Sequence, residues 1–313
     1  MKNVIVLGAG LIGEAIAIDL CKEYRVTSVD INTQVLGKIK ATYPINTVKK
    51  DLSNTRAIKE IIADSDLVIG AVPGFMGFNV LKTVISCGKD IVDISFFNED
   101  PFALDELAKE SDVTAVVDCG VAPGMSNIIL GYHHARMTVE SFICYVGGLP
   151  AVRTQPYEYK APFSPIDVIA EYTRPARIME HGELVIRPPL SEVEFIEFDD
   201  VGTLEAFNTD GLRTLLKTMP IPNMKEKTLR YPGHARIMSV LRDTGFFDEN
   251  AIELNGTPVR PIDMTSKLLF PKWELAKDEE EFTVMRVLIE GKEDHKDRKF
   301  SYSLFDRFGR KSG

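Results

Sequence analysis

Cysteine is scarce in this chain of 313 residues, and the four present, Cys21, Cys87, Cys119 and Cys144, are widely separated with no CxxC pair. That spacing excludes a zinc finger or ribbon, and a disulfide scaffold does not suit a chain of this length. No metal is expected, and reduced thiols in a cytoplasmic protein are the simple reading. Positive charge is short as well. Against 46 Asp and Glu stand 37 Lys and Arg, a formal net charge of −9, which is the wrong field for nucleic-acid phosphates. Lys and Arg gather only after Gly291, where Glu293, Asp294, Asp297 and Asp306 are interleaved with them, the pattern of a solvated face. Long apolar runs are missing too. None approaches the roughly 20 residues that span a bilayer. Glu14 and Asp19 interrupt the apolar stretch from Val4 to Leu20, so it does not read as a signal peptide. A soluble, unexported protein with a small-molecule partner is expected. With 44% hydrophobic residues, the chain can bury ordinary globular cores, and its length suggests two domains.

What is present has a clear rhythm over the first 120 or so residues. Short apolar runs at Val4–Leu7, Val26–Val29, Ile45–Val48, Leu67–Val72, Ile91–Ile94 and Thr114–Val117 alternate with helical patterns. Continuous apolar strands separated by helices indicate a buried parallel sheet with helices on both faces. The spacing predicts an α/β fold, with an N-terminal doubly wound domain over residues 1–122. After Gly120 the pattern changes. Helices are predicted over Met125–Met137, from Ser164 (N-cap) and Pro165 through Ile169, from Asp210 (cap) through Leu216, and over His234–Asp243. Strands are predicted at Phe142–Val146, ending at Gly147-Gly148, and in two hairpins. One hairpin is Val193–Phe198 with Thr203–Phe207, turning at Asp199-Asp200. The other is Phe282–Glu290 with Lys299–Phe305, turning near Gly291. Residues 123–313 therefore read as an α+β domain with a mixed or antiparallel sheet, which would hold substrate against cofactor.

The first strand leads into Gly8-Ala9-Gly10-Leu11-Ile12-Gly13, a GxGxxG turn opening a helix, and the second strand ends in Asp30. In that context the hexapeptide is a strong dinucleotide signature. Gly8 permits the tight turn, Gly10 lets a pyrophosphate approach the backbone, and Gly13 lets helix and sheet pack closely. The free N–H groups of the helix start favour the phosphates. Asp30 is suited to accept from both ribose hydroxyls, and no Lys or Arg stands at 31–33 to receive a 2′-phosphate, so NAD is expected rather than NADP. Ile31 adjoins the ribose site, and Asp51 is placed either for the adenine edge or as a helix cap. Ligands of open parallel sheets sit beyond the carboxyl ends of the strands. That rule assigns Ala71, Val72, Pro73, Ile94, Ser95, Cys119 and Gly120 to the nicotinamide half, with Asp93 and Asp118 as neighbouring carboxylates.

These strand ends, with Val121-Ala122-Pro123-Gly124-Met125-Ser126-Asn127, carry a family likeness. The chain resembles the saccharopine dehydrogenase group, and most closely its lysine 6-dehydrogenase branch. Matching segments are Tyr145-Val-Gly-Gly-Leu-Pro150, Glu205-Ala-Phe-Asn-Thr-Asp210 and Thr228-Leu-Arg-Tyr-Pro-Gly-His234. The resemblance implies NAD-dependent oxidation of the distal amine-bearing carbon of lysine or a related amino acid, giving a semialdehyde that can cyclise. It covers nearly the whole chain, in order. Where saccharopine reductases carry an Asp before Pro-Gly, this chain has Ala122, and where they carry an Arg for a substrate carboxylate, it has Thr209. Both departures favour a smaller substrate. Family members usually continue into a helical segment returning to the first domain, and that segment is not seen before Gly313. Analogy implies a homodimer.

The chemistry needs a neutral nitrogen, because a protonated amine cannot push electrons towards an imine. Holding a lysine ammonium neutral at pH 7 costs roughly 4–5 kcal/mol, so the site must desolvate the amine or set a base beside it. His234, in a Pro-Gly loop at a helix start, is a candidate base, or else a loop histidine bonded to backbone. Asp93 and Asp118 are candidate bases or amine partners, or else anchors of loop N–H groups. Arg230 is a candidate clamp for the α-carboxylate, with an ion pair as the alternative. Ser95 and Thr209 are candidate substrate contacts. His133, His134 and His181 read as structural residues, and Cys119 has no obvious basic partner to activate it. Two other readings are a saccharopine or other secondary-amine dehydrogenase, and a non-catalytic NAD-binding redox sensor.

Overall fold

The computed structural model describes residues 1–161, 164–276 and 279–308. The chain divides into two compact units, Met1–Gly120 and Val121–Gly313. In the first, strands β1 (Asn3–Leu7), β2 (Arg25–Asp30), β3 (Asn46–Lys49), β4 (Leu67–Gly70), β5 (Ile91–Asp93) and β6 (Ala115–Val116) form one sheet. Between them run α1 (Leu11–Leu20), α2 (Thr33–Thr42), α3 (Thr55–Ile62), α4 (Gly74–Ile85) and α5 (Asp105–Glu110). A 3-10 turn over Pro101–Leu104 precedes α5. Every strand pair is parallel, in the order β3-β2-β1-β4-β5-β6. This is the doubly wound arrangement, whose order reverses beside β1. Helices cover both faces, so successive β1 residues enter different cores. Ile5 and Leu7 join Ile58, Ile62 and Val84, whereas Val4 and Val6 join Ala17, Leu36 and Ile39. That double burial is why the strands read as unbroken apolar runs.

The second unit holds α6 (Met125–His134), β7 (Thr138–Pro150), α7 (Pro165–Thr173), β8 (Ala176–Glu180), β9 (Glu183–Arg187), β10 (Glu194–Phe198) and β11 (Gly202–Asn208). It continues through α8 (Leu215–Thr218), β12 (Asn223–Arg230), α9 (His234–Asp243), β13 (Ile252–Leu254), β14 (Thr257–Val259), α10 (Pro261–Trp273), β15 (Glu281–Glu293) and β16 (Lys296–Phe308). The main sheet runs β10-β11-β12-β7-β15-β16, with β8 and β9 attached beside β12. Among the described residues only β12 and β7 pair in parallel; the rest are antiparallel, so the sheet is mixed, as expected from the sequence. One core gathers Tyr145, Leu149, Tyr172, Phe207, Leu229 and Trp273, and another gathers Leu130, Phe142, Cys144, Met224, Val287 and Ile289.

Several local expectations are corrected. The strand read as ending at Gly147 runs through to Pro150. A Cβ on Gly147 would lie 2.5 Å from the Leu229 carbonyl oxygen, so this glycine serves close strand approach rather than a turn. Gly291 lies within β15 at a register shift against β7, where a bulge suits glycine. The hairpin turns instead at Asp294-His295, both at positive φ, as two-residue hairpin loops require. Asp210 caps no helix. Its carboxylate takes two bonds from the Arg177 guanidinium at 2.8 Å, and α8 begins after Thr214. Ser164 occupies the cap position of α7 without a side-chain cap bond. The β8–β9 hairpin, the β13–β14 hairpin and α10 were not foreseen.

Candidate functional site

The first unit carries the glycine turn. Gly8 lies at φ +106°, and a Cβ there would be 2.3 Å from the Ala71 carbonyl oxygen. A Cβ on Gly13 would be 2.1 Å from the Gly8 oxygen, whereas one on Gly10 would meet nothing within 4 Å. Two glycines are thus forced by the fold, and the third faces open space where a pyrophosphate can approach. No side chain caps α1 after Gly10, which leaves its first N–H groups for an anion. Leu11, Ile12 and Ile31 are exposed apolar side chains around this turn, suited to the flat parts of a nucleotide. Phe75, 75% exposed at the start of α4, is a further one that nothing in the sequence pattern distinguished.

Asp30 acts first on its own chain. One carboxylate oxygen accepts from the Ala9 N–H at 2.7 Å and the other from the Asn32 N–H at 2.8 Å. The sheet also sets the end of β3 beside it, where the Lys50 ammonium pairs with Glu60 at 3.2 Å. Lys49 is the register partner of Asp30 on β3, and the Lys50 N–H donates to the Asp30 carbonyl oxygen at 3.0 Å. Asp51, fully exposed, accepts from the Ser53 hydroxyl and N–H, which lowers its pKa; Asn54 caps α3 instead.

Asp93 is completely buried at the end of β5, its carboxylate lying over Gly70 and accepting from the Ser95 N–H at 2.8 Å and hydroxyl at 3.3 Å. Ser95 is buried in turn against Gly77. The Ile94 N–H bonds to Gly70 and the Cys119 N–H to Asp93, both on main-chain oxygens. These bonds hold the loop ends together. Asp118 is buried with φ +54°, and Gly120 closes the unit. Val72 is buried, and Pro73 sits at the N-cap of α4.

The second unit brings Arg230 and His234 into one buried polar chain. Arg230, 2% exposed at the end of β12, donates from Nε to the Tyr172 hydroxyl at 3.3 Å and from Nη2 to Glu171 at 2.6 Å. It also lies 4.4 Å over the Tyr159 ring. The Tyr172 hydroxyl meets His234 Nε2 at 2.9 Å, and His234 Nδ1 meets the Tyr157 carbonyl oxygen at 3.0 Å. Since a carbonyl only accepts, Nδ1 carries the proton and Nε2 accepts from Tyr172. Burial, then the neighbouring Arg230 charge, push the His234 pKa down to about 3. Burial raises the pKa of Glu171 against the pull of Arg230, and raises that of Tyr172. Across this cluster, Glu205 accepts from the Gly233 N–H at 2.8 Å and the Ala235 N–H at 2.5 Å, clasping the start of α9 and with it His234.

Thr209 is buried, its hydroxyl 2.9 Å from that of Thr228. His181 forms the β8–β9 turn with Gly182, and His133 bonds the Tyr302 hydroxyl at 2.7 Å. Tyr159, Glu171 and Tyr172 had no signal in the sequence; Glu205 had one, at the head of a motif already singled out. Among the described residues no cluster of three metal-ligating side chains occurs, and no helix is long and apolar enough to cross a membrane.

Two family models match the chain, one described as the saccharopine dehydrogenase NADP binding domain over residues 4–116 and the other as the saccharopine dehydrogenase C-terminal domain over 120–312. The NADP(+), L-glutamate-forming saccharopine dehydrogenase of Schizosaccharomyces pombe is 25% identical over 281 residues, 81% of this chain and 60% of that protein. Its Saccharomyces cerevisiae namesake is 28% identical over 280 residues, covering 82% and 61%. The chain thus spans about six-tenths of the length of these relatives. A carboxynorspermidine synthase of Vibrio alginolyticus is 21% identical, covering 97% of this chain and 81% of that one. The solved apo saccharopine dehydrogenase (L-Glu forming) of S. cerevisiae shares the fold, with a TM-score of 0.75 and 18% identity over 100% of this chain and 87% of that one.

The chain belongs to the saccharopine dehydrogenase family. The expectation of NAD, and with it of an NAD-dependent lysine 6-dehydrogenase, is corrected: the matched nucleotide domain is described as NADP-binding, and these yeast relatives are NADP(+) saccharopine dehydrogenases. The physical reason lies at Asp30. Both its oxygens are already engaged by the Ala9 and Asn32 N–H groups, and the adjacent strand sets Lys49 in register opposite it.

Proposed function

We propose that this saccharopine dehydrogenase family member is an NADP-dependent oxidoreductase acting at a carbon–nitrogen bond of a small, lysine-derived amino acid. The observation that carries the reading is the open Gly10 turn with Lys49 in register opposite Asp30, in a unit matched by an NADP-binding family domain. The first unit is assigned to the nucleotide and the second to the substrate. Gly8, Gly10 and Gly13 with the start of α1 would seat the pyrophosphate, Lys49 and Lys50 the 2′-phosphate, and Leu11, Ile12 and Ile31 the apolar surfaces. NADP, when bound, accepts or returns a hydride at the carbon bearing nitrogen.

The chain's own residues divide the remaining work. His234 is neutral at any working pH and both its ring nitrogens are engaged, so we assign it to fixing Tyr172 rather than to removing a proton. Arg230 keeps a positive charge in a buried place, and a substrate carboxylate reaches it only by taking over from Glu171. Asp93 holds Ser95 and the loop around it. A carboxylated polyamine is a second candidate substrate, supported by the near full-length likeness to carboxynorspermidine synthase.

The test is reduced-cofactor formation from saccharopine, lysine and carboxynorspermidine at alkaline pH, with NADP and NAD in parallel. Turnover of one of these amines with NADP at least about tenfold above NAD, a difference of about 1.4 kcal/mol, is expected. Turnover that prefers NAD, or none with NADP, overturns the proposal.

A further inference from the structure

The largely buried carboxylates of the second unit are held in unequal ways. Asp210 accepts three hydrogen bonds, one from the Arg177 N–H at 3.1 Å and two from its guanidinium at 2.8 Å. Glu205 accepts from two backbone N–H groups. Glu171, among the described residues, is bonded only by Arg230 Nη2, at 2.6 Å. Arg230 itself has other holds. Its Nη1 donates to the Leu229 carbonyl oxygen at 2.9 Å, its Nε to the Tyr172 hydroxyl, and its Nη2 also to the Tyr159 hydroxyl at 3.4 Å. Neutral groups thus keep the guanidinium in place when Glu171 leaves it.

The pair is open on one side. The Arg230 side chain is 2% exposed and that of Glu171 17%, so water reaches the carboxylate and not the guanidinium. An anion arriving from solvent meets Glu171 first and gains Arg230 only in its place. Two carboxylates then share one cation out of water, and like charges so placed raise the pKa of one of them. The neighbours add to this. On α7, Asp167 repels the Glu171 charge and Arg174 relieves it. Glu205 on β11 and Glu281 on β15 add negative charge near Tyr172 and Tyr159, and His234 on α9 is neutral. Burial already favours the protonated form of Glu171.

We propose that Glu171 is a displaceable counter-ion of Arg230, and that a carboxylate taking its place on the guanidinium brings one proton from solvent onto Glu171. The net charge of the cluster is then the same with and without the bound acid. Glu171 is a positioning residue in this scheme: it neutralises Arg230 while the site is empty and yields it to the acid. Because a proton is bound with the acid, binding weakens as pH rises. The proposal rests on the assignment of the substrate to the second unit.

The probe is L-norleucine, which has the amino-acid end of lysine but no distal amine to oxidise. The chain's one tryptophan, Trp273, stands edge-on to Tyr159 at 5.4 Å and to Tyr172 at 6.4 Å, so its fluorescence reports binding without any cofactor. Calorimetry of the full chain in buffers of different protonation enthalpy counts the protons. At neutral pH the wild type is expected to take up close to one proton per norleucine. Its affinity is expected to fall as pH rises from 6 to 8, by up to about tenfold per unit. Glu171→Gln is expected to bind without proton uptake, with a flat pH profile, and at pH 8 about tenfold or more tightly than wild type. The wild-type proton count stands whether or not that variant folds. Arg230→Met combined with Glu171→Leu, which strands no charge, is expected to bind none. Wild-type binding without proton uptake, a Glu171→Gln variant that binds no tighter, binding kept by the double variant, or no binding by wild type overturns the proposal. NADP-dependent turnover beside any of these results would leave the proposed activity standing and remove this role of Glu171 alone.

Discussion

The glycine turn of the first unit and the Arg230 cluster of the second both hold polar groups in fixed positions, by opposite means. The turn is built from backbone and from the absence of side chains: Gly8 and Gly13 fit where a Cβ would strike main-chain oxygens, and Gly10 leaves open space. The cluster is built from long side chains that arrive from α7, β12 and α9 and satisfy one another out of water. A site made of backbone tolerates change poorly at two positions and freely at others. A site made of buried charges depends on every partner, because removing one leaves the rest unpaired.

Substitution at Arg230 should break this comparison most severely. Arg230→Ala leaves Glu171, its side chain only 17% exposed, without its cation and is expected to cost about 3–5 kcal/mol of unfolding free energy in denaturant titration. Replacing Arg230 and Glu171 together by Met and Leu should recover much of that loss, since no charge is then stranded. A loss that stays equally large in the double variant would mean that packing, not charge, holds the cluster.

Next in size is the turn. Gly8→Ala combines positive φ with a contact at 2.3 Å to Ala71; it is expected to cost about 1–3 kcal/mol and to abolish detectable NADP binding. Gly10→Ala has open space, so the fold should lose less than about 0.5 kcal/mol while nucleotide affinity falls. Calorimetric titration with NADP beside thermal unfolding separates the two. Equal damage at both positions would refute the distinction between forced and open glycines.

The pH dependence sharpens the cluster side. His234 has a folded pKa near 3 against an ordinary value of 6.5. Between those values the unfolded chain binds a proton that the folded chain refuses, so stability falls as pH drops through that window and is complete above it. The contribution is at most about 1.4 kcal/mol per pH unit. Glu171, raised by burial, acts with the opposite sign above its ordinary value: it favours the fold at low pH, and that support is lost as pH rises. The difference between wild type and His234→Gln therefore isolates the histidine, and the variant should show a shallower acid decline. An unchanged slope would mean that His234 titrates normally.

The smallest effect concerns cofactor choice. Lys50→Ala loses a partly exposed pair with Glu60 and should cost at most about 1 kcal/mol of stability, while weakening NADP about tenfold relative to NAD, roughly 1.4 kcal/mol. No change in that ratio would remove Lys50 from the nucleotide site.

How much was legible in the sequence follows the same division. Val4–Leu7 with the glycine turn, and the alternation of strand and helix after it, could be read directly, because parallel strands buried on both faces must be apolar throughout. In the second unit the hairpin of β15 and β16 was seen but its turn was misplaced, since Gly291 signals a bulge as readily as a turn. Arg230 and His234 were singled out, yet their partners were not. Tyr172 lies 62 residues from His234, and Glu171 lies 59 residues from Arg230, with no local pattern to mark either. Glu205 stood inside a recognised segment, but its clasp on Gly233 and Ala235 depends on how β11 sits beside α9.

By itself the sequence determined the doubly wound first unit and the place of its glycine turn. Both follow from terms that act within a few residues: glycine's freedom at positive φ, the two-residue period of strands, and the free N–H groups of a helix start. Only the tertiary structure decided what surrounds Asp30 and Arg230. Lys49 comes opposite Asp30 through sheet register rather than through the chain, and Glu171 meets Arg230 because the end of α7 lies within reach of the end of β12. Such meetings are fixed by burial and by the cost of leaving a charge unpaired, which depend on the whole fold and leave no local trace in the order of residues.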